Sequence, residues 1–121
     1  MKTFVILAGL FGMLGVATGA FGAHALEDRV TADMLDIWET AVKYQMYHAL
    51  ALFGAAWLYH QTESTEALVA GWSFAAGILV FSGSLYLLVA TGVRGLGAIT
   101  PIGGLAMMVG WLSCILAALK L

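Results

Sequence analysis

Few side chains of this 121-residue chain could do chemistry, because charged residues make up only 10% of it. His48 and Gln45 stand out: they are three residues apart, so a helix would present both on one face. Glu39 and Lys43 are four apart, in the order that favours a local ion pair on a helix. Further polar residues should reach the same side of the molecule, and the candidate polar cluster then comprises His24, Glu39, Lys43, Gln45, His48, Tyr86, Arg94 and Thr100.

Two interpretations of His48 stay open. A neutral histidine can satisfy both ring nitrogens with hydroxyl or carbonyl groups of neighbouring helices, which would make it a structural hydrogen-bond node. An ionisable residue inside a membrane helix is also a functional candidate that could hold a ligand, a proton or an ion. For His24 we expect an interfacial or helix-end role, since a cation is favoured near the C-terminus of a helix.

The sequence gives no support to catalysis or to a bound metal or cofactor. Zinc sites use three or four ligands, and His24, His48 and one carboxylate are the most that could be assembled here. A nucleophilic hydroxyl needs an adjacent base, and none accompanies Ser82, Ser84 or Ser113. We therefore predict a protein that is not an enzyme and that holds no metal or cofactor.

The elements that position these residues are four long apolar runs, at 4–26, 42–59, 68–90 and 102–119. Each is close to the roughly 20 residues that a helix needs to cross a bilayer. Hydrophobic residues make up 62% of the chain and the mean hydropathy is +0.96. We predict an all-α fold: one transmembrane domain over residues 1–121, an integral membrane four-helix bundle in a multi-pass topology.

The segment at 31–41 is predicted to be an amphipathic helix at the membrane interface that leads directly into the second crossing. Thr31 is its expected N-cap, and Trp38 and Tyr44 should lie at the level of the lipid headgroups. Thr100 is expected to cap the last helix, because Pro101 suits a first turn.

Four crossings would place both termini and the loop at 60–66 on one side of the membrane, with ordinary solvated charges. The candidate polar cluster would lie on the opposite side. Counted from Lys43 at that interface, His48 should be about 7–8 Å deep, at 1.5 Å per helical residue.

Small residues predict where the helices touch, because close packing drives helix association in lipid. The first run has a stripe of such residues at Gly12, Gly15, Gly19 and Gly22, and the last run has one at Gly103, Ala106, Gly110 and Ser113. The first run also precedes Ala23-His24-Ala25, which fits a signal-peptide cleavage pattern, but it is longer than a signal core and has this packing stripe. We therefore expect the first helix to be retained.

Three blocks of sequence resemble a known family, called domain of unknown function 423. They are Gly19-Ala-Phe-Gly-Ala-His-Ala-Leu26, Trp38-Glu-Thr-Ala-Val-Lys-Tyr-Gln-Met-Tyr-His-Ala-Leu-Ala-Leu52 and Leu96-Gly-Ala-Ile-Thr-Pro-Ile-Gly-Gly104. The resemblance implies a four-helix integral membrane protein, in bacteria one of the cytoplasmic membrane. It implies no assigned activity and supplies no catalytic residues.

Function is predicted less sharply than fold. Our first hypothesis is a non-enzymatic protein that acts by assembly, as a homo-oligomer or as an accessory subunit of a membrane protein partner. The second is a small oligomeric transporter or channel with a polar site near His48 and Gln45. The third is a membrane-embedded enzyme or a metal or haem carrier. The lipid bilayer is the expected surrounding, and a net charge of −2 gives no indication of nucleic acid binding.

Overall fold

A computed structural model describes all 121 residues and shows an all-helical chain without strands. The α-helices are α1 (Lys2–Phe21), α2 (Ala32–Thr62), α3 (Thr65–Gly77), α4 (Gly83–Thr91) and α5 (Thr100–Ala118). A π turn over Gly22–Leu26 extends α1, a second over Ile78–Ser82 joins α3 to α4, and a 3-10 turn over Arg94–Ala98 precedes α5. The predicted all-α fold of four long helices is confirmed, and we call Thr65–Thr91 the α3–α4 helix.

Three helical stretches are long and apolar enough to cross a membrane: Lys2–Leu26, Thr65–Thr91 and Arg94–Ala118. α2 is not among them, because polar and aromatic residues such as Gln45, Tyr47 and His48 interrupt its apolar run. It is nevertheless the most central helix and packs against α1, α3, α4 and α5. The fourth crossing therefore stays a prediction.

Neighbouring helices run antiparallel, and close contacts set their registers. α5 lies on α3 where Gly77 meets Met107, and Lys120 pairs with Glu66 at the end of that contact. α1 lies on α2 where a Cβ on Gly22 would come within 2.6 Å of the Trp38 ring. The alanines of α2 are buried between these helices, so the main core is a tightly packed layer of small and aromatic residues.

The helix ends agree with the sequence at one position and differ at another. Thr31 caps α2 as predicted, since its hydroxyl accepts from the Met34 N–H at 3.2 Å. Thr100 does not cap α5: Ile99 is the N-cap residue and no side chain bonds there. The Thr100 hydroxyl instead shares a 2.6 Å hydrogen bond with Ser84, a buried residue that needs a partner.

The amphipathic segment runs into the second predicted crossing without a break, which makes α2 a single helix of 31 residues. Trp38 departs from its prediction. It is buried between α1 and α4, where it packs on Phe21 and Tyr86, so it faces protein rather than headgroups. A glycine at position 22 leaves the space that the indole ring fills.

Candidate functional site

A buried polar network joins α1, α2 and α4, with Gln45 at its centre. Gln45 is only 3% exposed; its amide nitrogen donates to the Phe11 carbonyl at 2.8 Å, and its amide oxygen accepts from the Tyr86 hydroxyl at 2.6 Å. Because a backbone carbonyl can only accept, the amide nitrogen must face Phe11, which fixes the orientation of the amide group. The Tyr86 hydroxyl also lies 3.0 Å from the Thr18 hydroxyl.

Two further bonds tie the same helices together. The Trp38 indole donates to the Thr18 carbonyl at 2.8 Å, and its ring packs 4.6 Å from that of Tyr86. The Ser82 hydroxyl donates to the Ala41 carbonyl at 2.7 Å. No buried side-chain nitrogen or oxygen is without a hydrogen-bond partner.

A cavity of about 250 Å³ lies beside this network, between α1, α2 and the α3–α4 helix. Its walls are Phe11, Leu14, Thr18, Gln45, Ile78, Leu79, Ser82, Gly83 and Tyr86. The π turn Ile78–Ser82 forms one wall, and π turns inside α-helices often occur at functional sites.

His48 is buried on another side of α2, against α5. Its Nε2 accepts from the Trp111 indole N–H at 3.1 Å, and its Nδ1 lies 2.7 Å from the Tyr44 carbonyl. An indole can only donate and a carbonyl can only accept, so the ring is neutral with its proton on Nδ1. Both nitrogens of His48 are therefore engaged within the protein.

Beside His48, the surface between α2 and α5 exposes aromatic residues. Tyr44 is 40% exposed, Tyr47 55% and Trp111 49%, and neither tyrosine hydroxyl makes a hydrogen bond within the chain. We call this the α2–α5 face; it encloses a groove of about 370 Å³ lined by Tyr44, Tyr47, His48, Gly104, Met107, Met108 and Trp111.

The depth of these residues differs from the prediction. Asp33 pairs with Arg94 at one end of the molecule and Glu63 lies in the turn at the other, so α2 separates them by about 45 Å at 1.5 Å per residue. His48 is midway between them in the sequence. The predicted depth of 7–8 Å was wrong because it took Lys43 as the interface, whereas the helix continues for another turn or more beyond it.

The eight predicted cluster residues do not form one group. Gln45 and Tyr86 share the buried network, and His48 faces α5. Arg94 pairs with Asp33 at 2.9 Å, at the end of the molecule. His24 is exposed in the π turn that ends α1, one helix end away from His48.

The predicted ion pair between Glu39 and Lys43 is absent, since neither residue belongs to a salt bridge. Both are exposed and line a smaller groove of about 150 Å³ between α1 and α2, beside Gly19 and Gly22. A long lysine stem can carry its ammonium group toward the headgroups instead of toward the carboxylate.

Most of the predicted packing residues lie in helix contacts. Cβ atoms at Gly15, Gly19 and Gly22 would meet α2 side chains, and those at Gly103 and Gly110 would meet Phe81 and Phe74. Ser113 is buried and Ala106 half-buried. Gly12 differs, because a Cβ there would meet nothing within 4 Å.

Sequence reasoning missed three partners: Thr18, Trp111 and Asp33. Trp111 carried a usable signal, since tryptophan prefers the membrane interface and this one lies near the middle of an apolar run. Thr18 and Asp33 pair with residues 68 and 61 positions away in the sequence, which local spacing cannot reveal. No group of three or more His, Cys, Asp or Glu side chains comes together in a way that could hold a metal ion.

The fold and these networks define a small all-helical membrane protein whose polar side chains lie mostly between its helices. The family described as "Protein of unknown function (DUF423)" matches residues 18–104, and the chain belongs to this family. A UPF0382 membrane protein of Staphylococcus epidermidis (strain ATCC 12228) is 52% identical over 120 residues, covering 99% of this chain and 98% of the relative.

Two further relatives have the same extent. The UPF0382 membrane protein YwdK of Bacillus subtilis (strain 168) is 46% identical over 121 residues, covering 99% of this chain and 98% of its own. The UPF0382 membrane protein SSP2132 of Staphylococcus saprophyticus is 48% identical over 121 residues and both chains are fully covered. No solved structure matches the chain.

Proposed function

We propose that the protein is a non-enzymatic, multi-pass component of the cytoplasmic membrane that acts by assembling with a second copy of itself through the α2–α5 face. The observation that carries this proposal is the position of Tyr44 and Tyr47, whose hydroxyls are exposed and without partners in the chain. A hydrocarbon core about 30 Å thick, centred on the 45 Å between the charged ends, puts Tyr44 about 9 Å and Tyr47 about 13 Å inside it.

A tyrosine hydroxyl at that depth is costly in lipid, because an unsatisfied polar group in hydrocarbon loses several kcal/mol. A second copy of the chain can remove this cost. Each hydroxyl both donates and accepts, so a twofold axis along the membrane normal brings the two tyrosines of each copy together at matching depth. Met108 and Trp111 would pack around that axis, where lipid would otherwise contact them.

The arrangement of Gln45 and His48 also supports assembly over transport. A transport path would need these two side chains to line one channel, but Gln45 bonds to α1 and α4 while His48 bonds to α5. Their hydrogen bonds join helices within the chain, so they serve the packing of each copy.

Cysteine crosslinking in lipid tests the proposal. In a Cys114→Ala background, Met108→Cys places a thiol on the α2–α5 face and should form a disulfide-linked dimer on mild oxidation. Met13→Cys is the matched control, since it replaces another exposed methionine at a similar depth on α1. Native mass spectrometry from nanodiscs should show a dimer that Tyr44→Phe with Tyr47→Phe dissociates at least tenfold more readily.

A monomeric mass combined with equal crosslinking at the two cysteine positions would overturn the proposal. The tyrosine substitutions keep the rings and remove only the hydroxyls, so the folding of each copy should be unchanged, which circular dichroism checks.

A further inference from the structure

We infer that the cavity between α1, α2 and the α3–α4 helix binds an uncharged, membrane-soluble molecule of ring size that presents a carbonyl oxygen to Gln45. The inference does not depend on assembly, because the cavity lies on a different side of α2 from Tyr44 and Tyr47. It begins from the hydrogen-bonding capacity of one buried side chain.

Gln45 has one N–H that no protein group accepts. Its amide nitrogen carries two protons, and the structure shows a single acceptor for them, the Phe11 carbonyl. The side chain is more than nine-tenths buried and is part of the cavity wall. A free donor in such a place favours a molecule that brings an acceptor.

The other polar groups of the wall have no proton to offer. Ser82 donates to the Ala41 carbonyl and Tyr86 donates to Gln45, while the Thr18 hydroxyl lies within reach of the Gly15 carbonyl and of Tyr86. A buried water needs two to four polar partners, and this mostly apolar wall offers it one free donor. An apolar molecule with one acceptor matches the wall better.

The depth of Gln45 narrows the class of molecule. Gln45 lies about 18 Å from Asp33 along α2, which places it about 10 Å inside a 30 Å hydrocarbon core. The ester carbonyls of glycerolipids remain near the headgroups, so they do not reach it. A charged acceptor is expensive at this depth, and a neutral ring ketone or quinone is not.

The shape of the cavity agrees with a ring. Its volume of about 250 Å³ exceeds the roughly 150 Å³ cavity that holds a benzene molecule, so a bicyclic ring fits. Exposed Leu14 and Leu79 stand on its rim, and α1 packs chiefly on α2, so the cavity opens toward lipid between α1 and the α3–α4 helix. A ligand dissolved in the bilayer can therefore enter sideways.

The test uses menadione, a bicyclic quinone, and the full chain in nanodiscs with Trp57, Trp72 and Trp111 replaced by Phe. The remaining Trp38 packs against Tyr86 in the cavity wall, so a bound quinone should quench its fluorescence. We expect quenching that saturates with menadione concentration. Gly83→Leu should weaken this binding at least tenfold, because a Cβ there meets nothing within 4 Å and the added side chain fills the cavity.

Gly54→Leu is the matched control, since Gly54 is equally open but lies outside the cavity. Gln45→Leu should weaken menadione binding at least tenfold, and 2-methylnaphthalene, which has the ring but no carbonyl, should compete poorly against the unsubstituted Gln45 chain. Linear quenching without saturation, or equal effects of the two glycine substitutions, would overturn the site. Full binding by the Gln45→Leu chain, with its melting temperature unchanged, would overturn the role of the carbonyl.

Discussion

His48 shows how a single residue can be polar, buried and chemically quiet. Its two ring nitrogens face a donor on α5 and an acceptor in its own helix, so one neutral tautomer satisfies both. Phe74 and Trp111 pack against the ring, with centroids 5.6 and 5.9 Å away. Such a residue joins two helices by a hydrogen bond that lipid cannot replace.

At this scale we predict that Trp111→Phe lowers the free energy of unfolding in bicelles by about 0.5–2 kcal/mol, the range of interhelical hydrogen bonds in membranes. A double-mutant cycle with His48→Phe should show coupling of similar size, because the two changes remove the same bond. Trp57→Phe is the control: Trp57 is exposed and its indole makes no hydrogen bond within the chain. Equal losses for the two tryptophans, or no coupling with His48, would contradict the structural role.

At the scale of elements, glycine sets how closely α5 approaches the α3–α4 helix. A Cβ on Gly103 would collide with the backbone of Phe81, whose Cα would lie 2.8 Å away. A backbone cannot move aside as a flexible side chain can, so any added atom must push the two helices apart.

We therefore expect Gly103→Ala to destabilise the protein by about 1–3 kcal/mol, as overpacking usually does. Gly12→Ala should be neutral or stabilise slightly, because the space there is open and alanine favours a helix. Thermal unfolding in detergent measures both. Similar losses at the two positions would show that the α5 contact is looser than described.

These two glycines also show how far the sequence predicts the elements. Length and hydropathy located the long helices, and small residues located most of their contacts. Gly12 belongs to the same stripe as Gly15, yet only Gly15 meets α2, because the rotation of α1 is set by its partner rather than by its own sequence. The bonds of Gln45 and His48 were not predictable for the same reason: their partners come from other helices.

At the scale of the whole molecule, ion pairs stand at both ends and buried polar bonds lie between them. Lys120 pairs with Glu66 at one end and Arg94 with Asp33 at the other. These pairs are exposed and add little stability, but they mark where the molecule meets water. Since α2 lies between apolar helices along its length, we expect it to complete a fourth crossing.

Labelling of single cysteines in a Cys114→Ala background tests this topology. Glu63→Cys and Lys120→Cys should react with a membrane-impermeant maleimide from one side of sealed vesicles, and Glu27→Cys and Val93→Cys from the other. If Glu63→Cys and Glu27→Cys reacted from the same side, α2 would not cross the membrane and the depths assigned to its residues would fail.

The π turn at Ile78–Ser82 has a consequence for how this sequence can change. A wider turn of this kind holds one residue more than regular α-helical winding, so it offsets the phase of everything that follows in the same helix. Before the offset, Gly77 faces α5; after it, Tyr86 faces Gln45. Deleting a single residue here would rotate the second half by about 100° relative to the first and separate two otherwise compatible sets of neighbours. Length at this point is therefore as constrained as residue type is elsewhere.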